Sequence, residues 1–414
     1  METPVIIILI GLFIFWGHYL AGFFERRSIP DVLGLMFIGM LIGPVFHIAE
    51  PGSFGQYGRL FSNLVLIFIL FESGTDLKIS EVIASFRDSA GITAANFFVT
   101  WIVSALLCHY IFGLEVLSCL FIGATLGGTS SAVVVGLVKK VDVKPTTMTT
   151  LIIESAESDV FTLAIPLGIL GLMITGEVQA GTIVSQFVAS LVLALMIGIF
   201  GAFLWSFIIN KLPTLKTTKF ATPAFLFILY GIAEYLNYSG PLTALSFGIA
   251  IGNLKYFEPR LLEKIVPNHS IVLPQGEKDF FSQIVFLLRT FFFVFIGISI
   301  RIERLDWLAW GAVITAILFI ARIIVVKLVV ARDTPVLDKA VMSTMIPKGL
   351  GAAVIATLPL RQEHPDGLII QSICFAVILF STIYCSGLFF LLKTGVTVPV
   401  YSVLFRRRIE QSNG

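Results

Sequence analysis

The segment LIIESAESDVFTLAIP carries Glu154, Ser155, Glu157, Ser158 and Asp159 within six residues, in the middle of an otherwise apolar stretch. Ionisable groups at membrane depth are costly, so each one there points to the handling of ions or protons. Helix residues turn by about 100° per step. Ser155 and Asp159 therefore share one stripe, Glu154 and Ser158 the neighbouring one, and Glu157 falls well round from Asp159, toward a second cavity or another helix. Oxygen donors of this kind suit a hard cation. The competing view, acids that only hold helices together, sits poorly with three of them so close.

Two further stretches look interrupted. GATLGGTSSAVVV puts Gly127, Gly128, Thr129, Ser130 and Ser131 at the middle of one, and MIPKGLGAAVIA puts Pro347, Lys348, Gly349 and Gly351 at the middle of another. Proline removes a backbone donor and glycine loosens the helix. Such breaks persist in lipid only where protein or a water cavity satisfies the freed groups. The two stretches are seven spans apart and so run in opposite directions, the pattern of inverted-repeat transporters with an ion site at the crossing. Lys348 would there neutralise negative half-helix ends. Plain glycine packing notches are the alternative.

A buried Glu154 needs a cation. Arg289, Arg322 and Lys348 are the candidates, and Arg322 in FIARIIVVKLVV lies deepest in its span; Lys327 snorkels toward an interface. Glu72 and Asp76 in LFESGTDL and Glu234 in GIAEYLNYSG rank second, each lining a cavity or making a structural hydrogen bond. Other chemistry competes badly. The five histidines are scattered without HExxH, GGTSS lacks a Walker lysine, and there is no TVGYG-like filter. The four cysteines form no CxxC pair, so no disulfide framework or structural metal site is expected, and no cofactor.

The elements that must hold these residues follow from composition. Of 414 residues, 57% are hydrophobic and 13% charged, with a net charge of +2; the mean hydropathy is +0.96. A soluble domain could not cover that apolar surface, and no basic stripe with aromatics suggests nucleic acid. The reading is an all-α polytopic membrane protein. About thirteen spans are expected, at 5–24, 31–49, 57–76, 90–113, 116–138, 148–174, 182–210, 219–237, 239–254, 279–299, 307–331, 337–360 and 367–393. The first is read as a retained helix, not a signal peptide. With this partition 19 of the 28 basic residues fall in connections on the C-terminal side and 4 on the other, which predicts the N-terminus outside and the C-terminus cytoplasmic. A connection near 255–278 is expected to hold a short interfacial helix around RLLEKIV, and the chain after Thr397 a short cytoplasmic tail, 398–414.

Taken together these residues resemble the monovalent cation–proton antiporter superfamily, which includes the sodium–proton exchangers. ESAESD is similar to the family's E-S-x-x-N-D, with Glu154 and Asp159 at the same spacing; TSSAVV resembles its T-D-P-V-A-V break, with Thr129 matching. PKGLGAA resembles the second break, with Lys348 where Arg is common, and SGPLTALSFGIAIGN and ARIIVV are similar to recurrent family segments. Two departures stand out, Ser158 for the family's Asn and Ser130 for its Asp.

The resemblance implies the sodium–proton antiporter fold over 1–397, with inverted repeats and two crossing discontinuous helices. Ion-site helices would lie at about 90–174 and 307–393, and dimerisation or scaffold helices in the remainder. It implies exchange of Na⁺, or K⁺ or Li⁺, for H⁺ by a homodimer in the plasma membrane, and a single exchangeable carboxylate would make that exchange one for one and electroneutral. Asp159 would hold cation and proton in turn, Ser155, Thr129, Ser130 and Ser158 would complete an oxygen shell, and Arg322 would pair with Glu154. A sodium-coupled organic-anion symporter of similar fold and an ion channel or sensor stay open as alternatives; an intramembrane enzyme acting on lipid would need a nucleophile–base or metal constellation near the interface, and the sequence offers none, so the chain is read as a transporter and not an enzyme.

Overall fold

The computed structural model describes residues 30–50, 55–76, 79–175, 180–212, 219–236, 238–254 and 275–405, with Gly11, Phe15, Gly17 and Tyr19 from the preceding segment. Most of the first expected span, the RLLEKIV segment and residues 406–414 lie outside the described residues. Every described element is helical: α1 (Asp31–Met40), continued by one π turn (Leu41–Val45) around Pro44, α2 (Gly55–Asp76), α3 (Ile79–Phe112), α4 (Val116–Thr125), α5 (Ser131–Val138), α6 (Pro145–Thr175), α7 (Ala180–Lys211), α8 (Ala221–Tyr235), α9 (Gly240–Gly252), α10 (Gln275–Ser299), α11 (Leu305–Val329), α12 (Val336–Thr344), α13 (Leu350–Ala356), α14 (Leu358–Arg361), α15 (Gly367–Lys393) and α16 (Val398–Leu404). The second to thirteenth expected spans each coincide with one of these helices or with an interrupted set. Six of the described helices are singly long and apolar enough to cross a bilayer.

Both expected interruptions are real breaks. Helix α4 ends at Thr125 and α5 starts at Ser131; α12 ends at Thr344 and α13 starts at Leu350. Two differences from the expectation concern boundaries. Helix α3 begins at Ile79, eleven residues before its apolar stretch, because hydropathy marks where a helix meets lipid and not where its backbone starts to coil. The expected tail also starts with a helix, α16.

Helices α1, α2 and α7–α10 pack mainly on one another, and α3–α6 pack with α11–α15. The first set contains a repeated close crossing. A Cβ on Gly39 (α1) would lie 2.8 Å from the Cα of Gly297 (α10), and one on Gly297 would run into the carbonyl of Met36, three residues before Gly39. Gly248 (α9) and Gly74 (α2) meet in the same way, with Leu245 O and Phe71 O as the facing carbonyls. The pairs α1–α10 and α9–α2 are thus two copies of one contact, seven spans apart in sequence, as inverted repeats require. Small residues are needed there because backbones touch.

Substituting Gly297 or Gly248 by Ala is expected to cost about 1–3 kcal/mol by overpacking and to lower the thermal unfolding midpoint in detergent. Gly231→Ala in α8, which has no atom within 4 Å of the added Cβ, is expected to leave it unchanged or raise it.

Candidate ion site at the helix crossing

The two breaks meet. The backbone N–H of Ser130 donates to the carbonyl of Pro347 at 2.7 Å, which joins the first interruption directly to the second. Each break is also held by a serine of a neighbouring long helix. Thr129 N–H donates to Ser158 Oγ on α6 at 3.0 Å, and Lys348 N–H donates to Ser381 Oγ on α15 at 2.9 Å. Each serine hydroxyl in turn donates to the carbonyl three residues back, Ser158 to Ser155 at 3.0 Å and Ser381 to Ile378 at 2.9 Å. The arrangement is the inverted repeat again, α6 matching α15 and Thr129 matching Lys348. The match brings Thr382 to the position equivalent to Asp159. Symmetry fails at the charges, with a carboxylate on one side and an ammonium on the other.

Lys348 is buried (1% exposed), and its Nζ donates to Gly128 O at 3.0 Å, just past the C-terminal end of α4. A positive group there compensates the partial negative charge of a half-helix whose last carbonyls have no helical partner. Thr129 Oγ1 is 3.2 Å from Ser158 Oγ, so the first break presents paired hydroxyls beside Asp159. Asp159 is half-buried, whereas Glu154, Ser155 and Ser158 on the same helix are buried. Ser155 Oγ donates to Ile152 O at 2.8 Å.

The other acids of α6 are engaged elsewhere. Arg322 (α11) grips Glu154 through both terminal nitrogens, Nη1 to Oε1 at 2.5 Å and Nη2 to Oε2 at 2.7 Å, and its Nε donates to Met342 O on α12 at 2.9 Å. Three donors of one planar group therefore tie α6, α11 and α12 together, a geometry that Lys could not reproduce. Glu157 points to α3, where Thr93 Oγ1 donates to its Oε2 at 2.6 Å. On the flank of the same bundle, Asp338 at the start of α12 accepts from Thr147 Oγ1 at 2.7 Å and Lys144 N at 3.1 Å.

The secondary candidates do not join this cluster. Glu72 hydrogen-bonds Ser282 between α2 and α10, with Asp76 and Arg289 close enough to act on it. Arg289 lies 5.5 Å from the Phe286 ring on its own helix. Glu234 Oε1 accepts Gly240 N–H at 2.8 Å, closing the turn that starts α9. Lys327 is exposed near the end of α11. Three residues of the site escaped the sequence reading: Ser381, Thr382 and Thr162. Thr162 turns a buried hydroxyl with no protein partner toward Gly128. Aligning span thirteen on span six would have found the first two.

Removing Arg322 alone, as Arg322→Ala, is expected to destabilise the protein by about 3–5 kcal/mol because it strands a buried carboxylate. Glu154→Gln combined with Arg322→Met is expected to recover part of that loss. A double-mutant cycle on thermal stability in detergent checks both.

Comparison with known proteins agrees with this architecture. The sodium proton antiporter MjNhaP1 of Methanocaldococcus jannaschii superposes with a TM-score of 0.76 over 98% of this chain and 100% of its own, at 19% identity, and so shares the fold. Among curated relatives, a protein named K(+)/H(+) antiporter NhaP from Alkalimonas amylolytica is 23% identical over 87% of this chain, which spans 61% of that relative's length. A probable Na(+)/H(+) antiporter 2 from M. jannaschii is 21% identical over 96% of both chains. The family profile described as sodium/hydrogen exchanger, transmembrane, matches residues 8–394. The chain is an integral membrane protein that belongs to the sodium/hydrogen exchanger family of transporters.

Proposed function

We propose that this chain exchanges Na⁺, or K⁺ or Li⁺, for H⁺, one for one and without net charge movement, with Asp159 holding the cation and the proton in turn. The observation that carries the reading is the position of Asp159 on α6: it is half-buried and directly follows Ser158, whose hydroxyl holds the first break where the two broken helices meet. Two ligands competing for one carboxylate produce exchange without further machinery. A bare carboxylate is expensive to carry through a low-dielectric barrier, so the carrier moves only when Asp159 is neutralised by H⁺ or by the cation. Oxygens of Ser155, Thr129, Ser130 and Ser158 complete the shell of a dehydrated alkali ion, which is substrate here and not a resident metal. Glu154 with Arg322 holds the crossing, and Lys348 keeps the first half-helix end compensated.

Alternating access is then rocking of the α3–α6 and α11–α15 bundle against α1, α2 and α7–α10. The carrier works as a homodimer in the plasma membrane, N-terminus outside and C-terminus cytoplasmic. The names of the relatives cover both Na⁺ and K⁺, in keeping with a site whose donors are mostly hydroxyls.

Reconstituted Asp159→Asn is expected to lose ΔpH-driven exchange with Na⁺, K⁺ and Li⁺ alike, read by a pH-sensitive dye inside the vesicles. Undiminished exchange would sink the mechanism. An imposed membrane potential is expected to leave the wild-type rate unchanged, and a rate that follows the potential rules out one-for-one stoichiometry.

A further inference from the structure

Along α6, Ser155, Ser158, Asp159 and Thr162 follow one another at helical spacing and share one face. Two of their three hydroxyls are committed to the backbone. Ser155 Oγ donates to Ile152 O, and Ser158 Oγ donates to Ser155 O while receiving Thr129 N–H. Thr162 differs: it is 3% exposed, and its buried Oγ1 has no protein group within hydrogen-bond reach. A threonine inside a helix can return its hydroxyl to the carbonyl four residues back, as Thr149, Thr150, Thr315 and Thr382 do in this chain. Thr162 forgoes that bond and turns its hydroxyl to the first break, where a Cβ on Gly128 would collide with Oγ1.

A buried hydroxyl without a partner destabilises the fold, so an orientation that forgoes an available bond calls for a ligand. A neutral oxygen one helical turn from a carboxylate suits a hard cation. A separate ion at Gly128 is disfavoured, because the Lys348 ammonium already bonds Gly128 O. That leaves the ion held at Asp159, one turn back on the same face. Other buried hydroxyls without a protein partner, such as Ser104 on α3 and Thr125 at the end of α4, lie off this face.

We propose that the Thr162 hydroxyl is a further ligand of the transported alkali cation, added to the oxygen shell around Asp159, and that it helps set which cation is preferred. The inference rests on the reading of Asp159 as the carboxylate that holds the cation. A proton on Asp159 needs no such oxygen, so Thr162 favours one of the two competing substrates over the other. Larger ions gather more oxygens than smaller ones, so the hydroxyl matters more for K⁺ than for Li⁺.

The test is Thr162→Val in the full chain, which keeps the side chain's shape and removes its oxygen. In reconstituted vesicles the variant is expected to raise the KM for K⁺ roughly tenfold and that for Li⁺ by less. The pH at which cation and proton balance is expected to move up by about one unit, because a tenfold weaker cation balances a tenfold lower proton concentration. In detergent, KCl is expected to raise the parent's thermal unfolding midpoint above its value in choline chloride. Thr162→Val is expected to lose most of that gain, while in choline chloride it is as stable as the parent or more so. Thr162→Ser is expected to restore both responses, and Ser104→Ala, which removes the same kind of hydroxyl from α3, to leave both unchanged. Parental KM values and cation stabilisation in Thr162→Val, the result for a hydroxyl that only holds water, overturn the proposal. So does a Thr162→Ser that behaves like Thr162→Val, or a Ser104→Ala that shifts both responses equally. The two assays keep the readings apart: an exchanging parent matched by Thr162→Val counts against Thr162 alone, and a parent that does not exchange but loses its cation stabilisation on Thr162→Val counts against antiport alone.

Discussion

A helix that stops in the middle of a bilayer leaves unpaired N–H and C=O groups where no lipid can receive them, and each such group costs several kcal/mol if nothing else does. Among the described residues there are two such helices, and the core around them is arranged to satisfy them. The breaks bond to each other through Ser130 N–H and Pro347 O, to α6 through Ser158, to α15 through Ser381, and to the Lys348 ammonium through Gly128 O. None of these partners is local. Lys348 reaches across 220 residues of sequence to Gly128, so the crossing forms only when both repeats are folded against each other.

The same constraint explains why the site is polar without being highly charged. Pairing the breaks by repeat symmetry alone would yield two equivalent serine clamps, and the symmetry fails at the charges. One clamp is followed by Asp159 and the other by Thr382; one break carries Thr129 and the other Lys348. Neutral hydroxyls and backbone form most of the framework of the crossing, and the Lys348 ammonium adds one bond to it through Gly128 O. The framework charge pair, Glu154 with Arg322, is bidentate and sealed from solvent, so it holds three helices together while adding no net charge.

Much of the fold was legible because lipid acts on single residues and short runs. Hydropathy marks spans, and glycine and proline mark breaks. The same one-dimensional signals were silent on the glycine crossings of α1 with α10 and α9 with α2, since a glycine against a carbonyl looks in sequence like any other glycine in a helix. They were silent too on α16, whose apolar residues are too few to register as a span.

By itself the sequence determined that the chain lives in a membrane, that two helices are broken, and that Glu154, Asp159, Arg322 and Lys348 are charges kept at depth, because burial penalties depend on residue type and local run alone. Depth in its span already favoured Arg322 over Arg289 and Lys348 as the partner of Glu154; only tertiary structure shows its planar fork, 168 residues away, reaching both oxygens. Glu157, two residues from Asp159, is turned by helical rotation to Thr93 on α3. Ser381 and Thr382 became part of the site only once α15 was seen to repeat α6. A partner is selected by where an atom lies in space, and that position is a property of the folded bundle that no local run of residues carries.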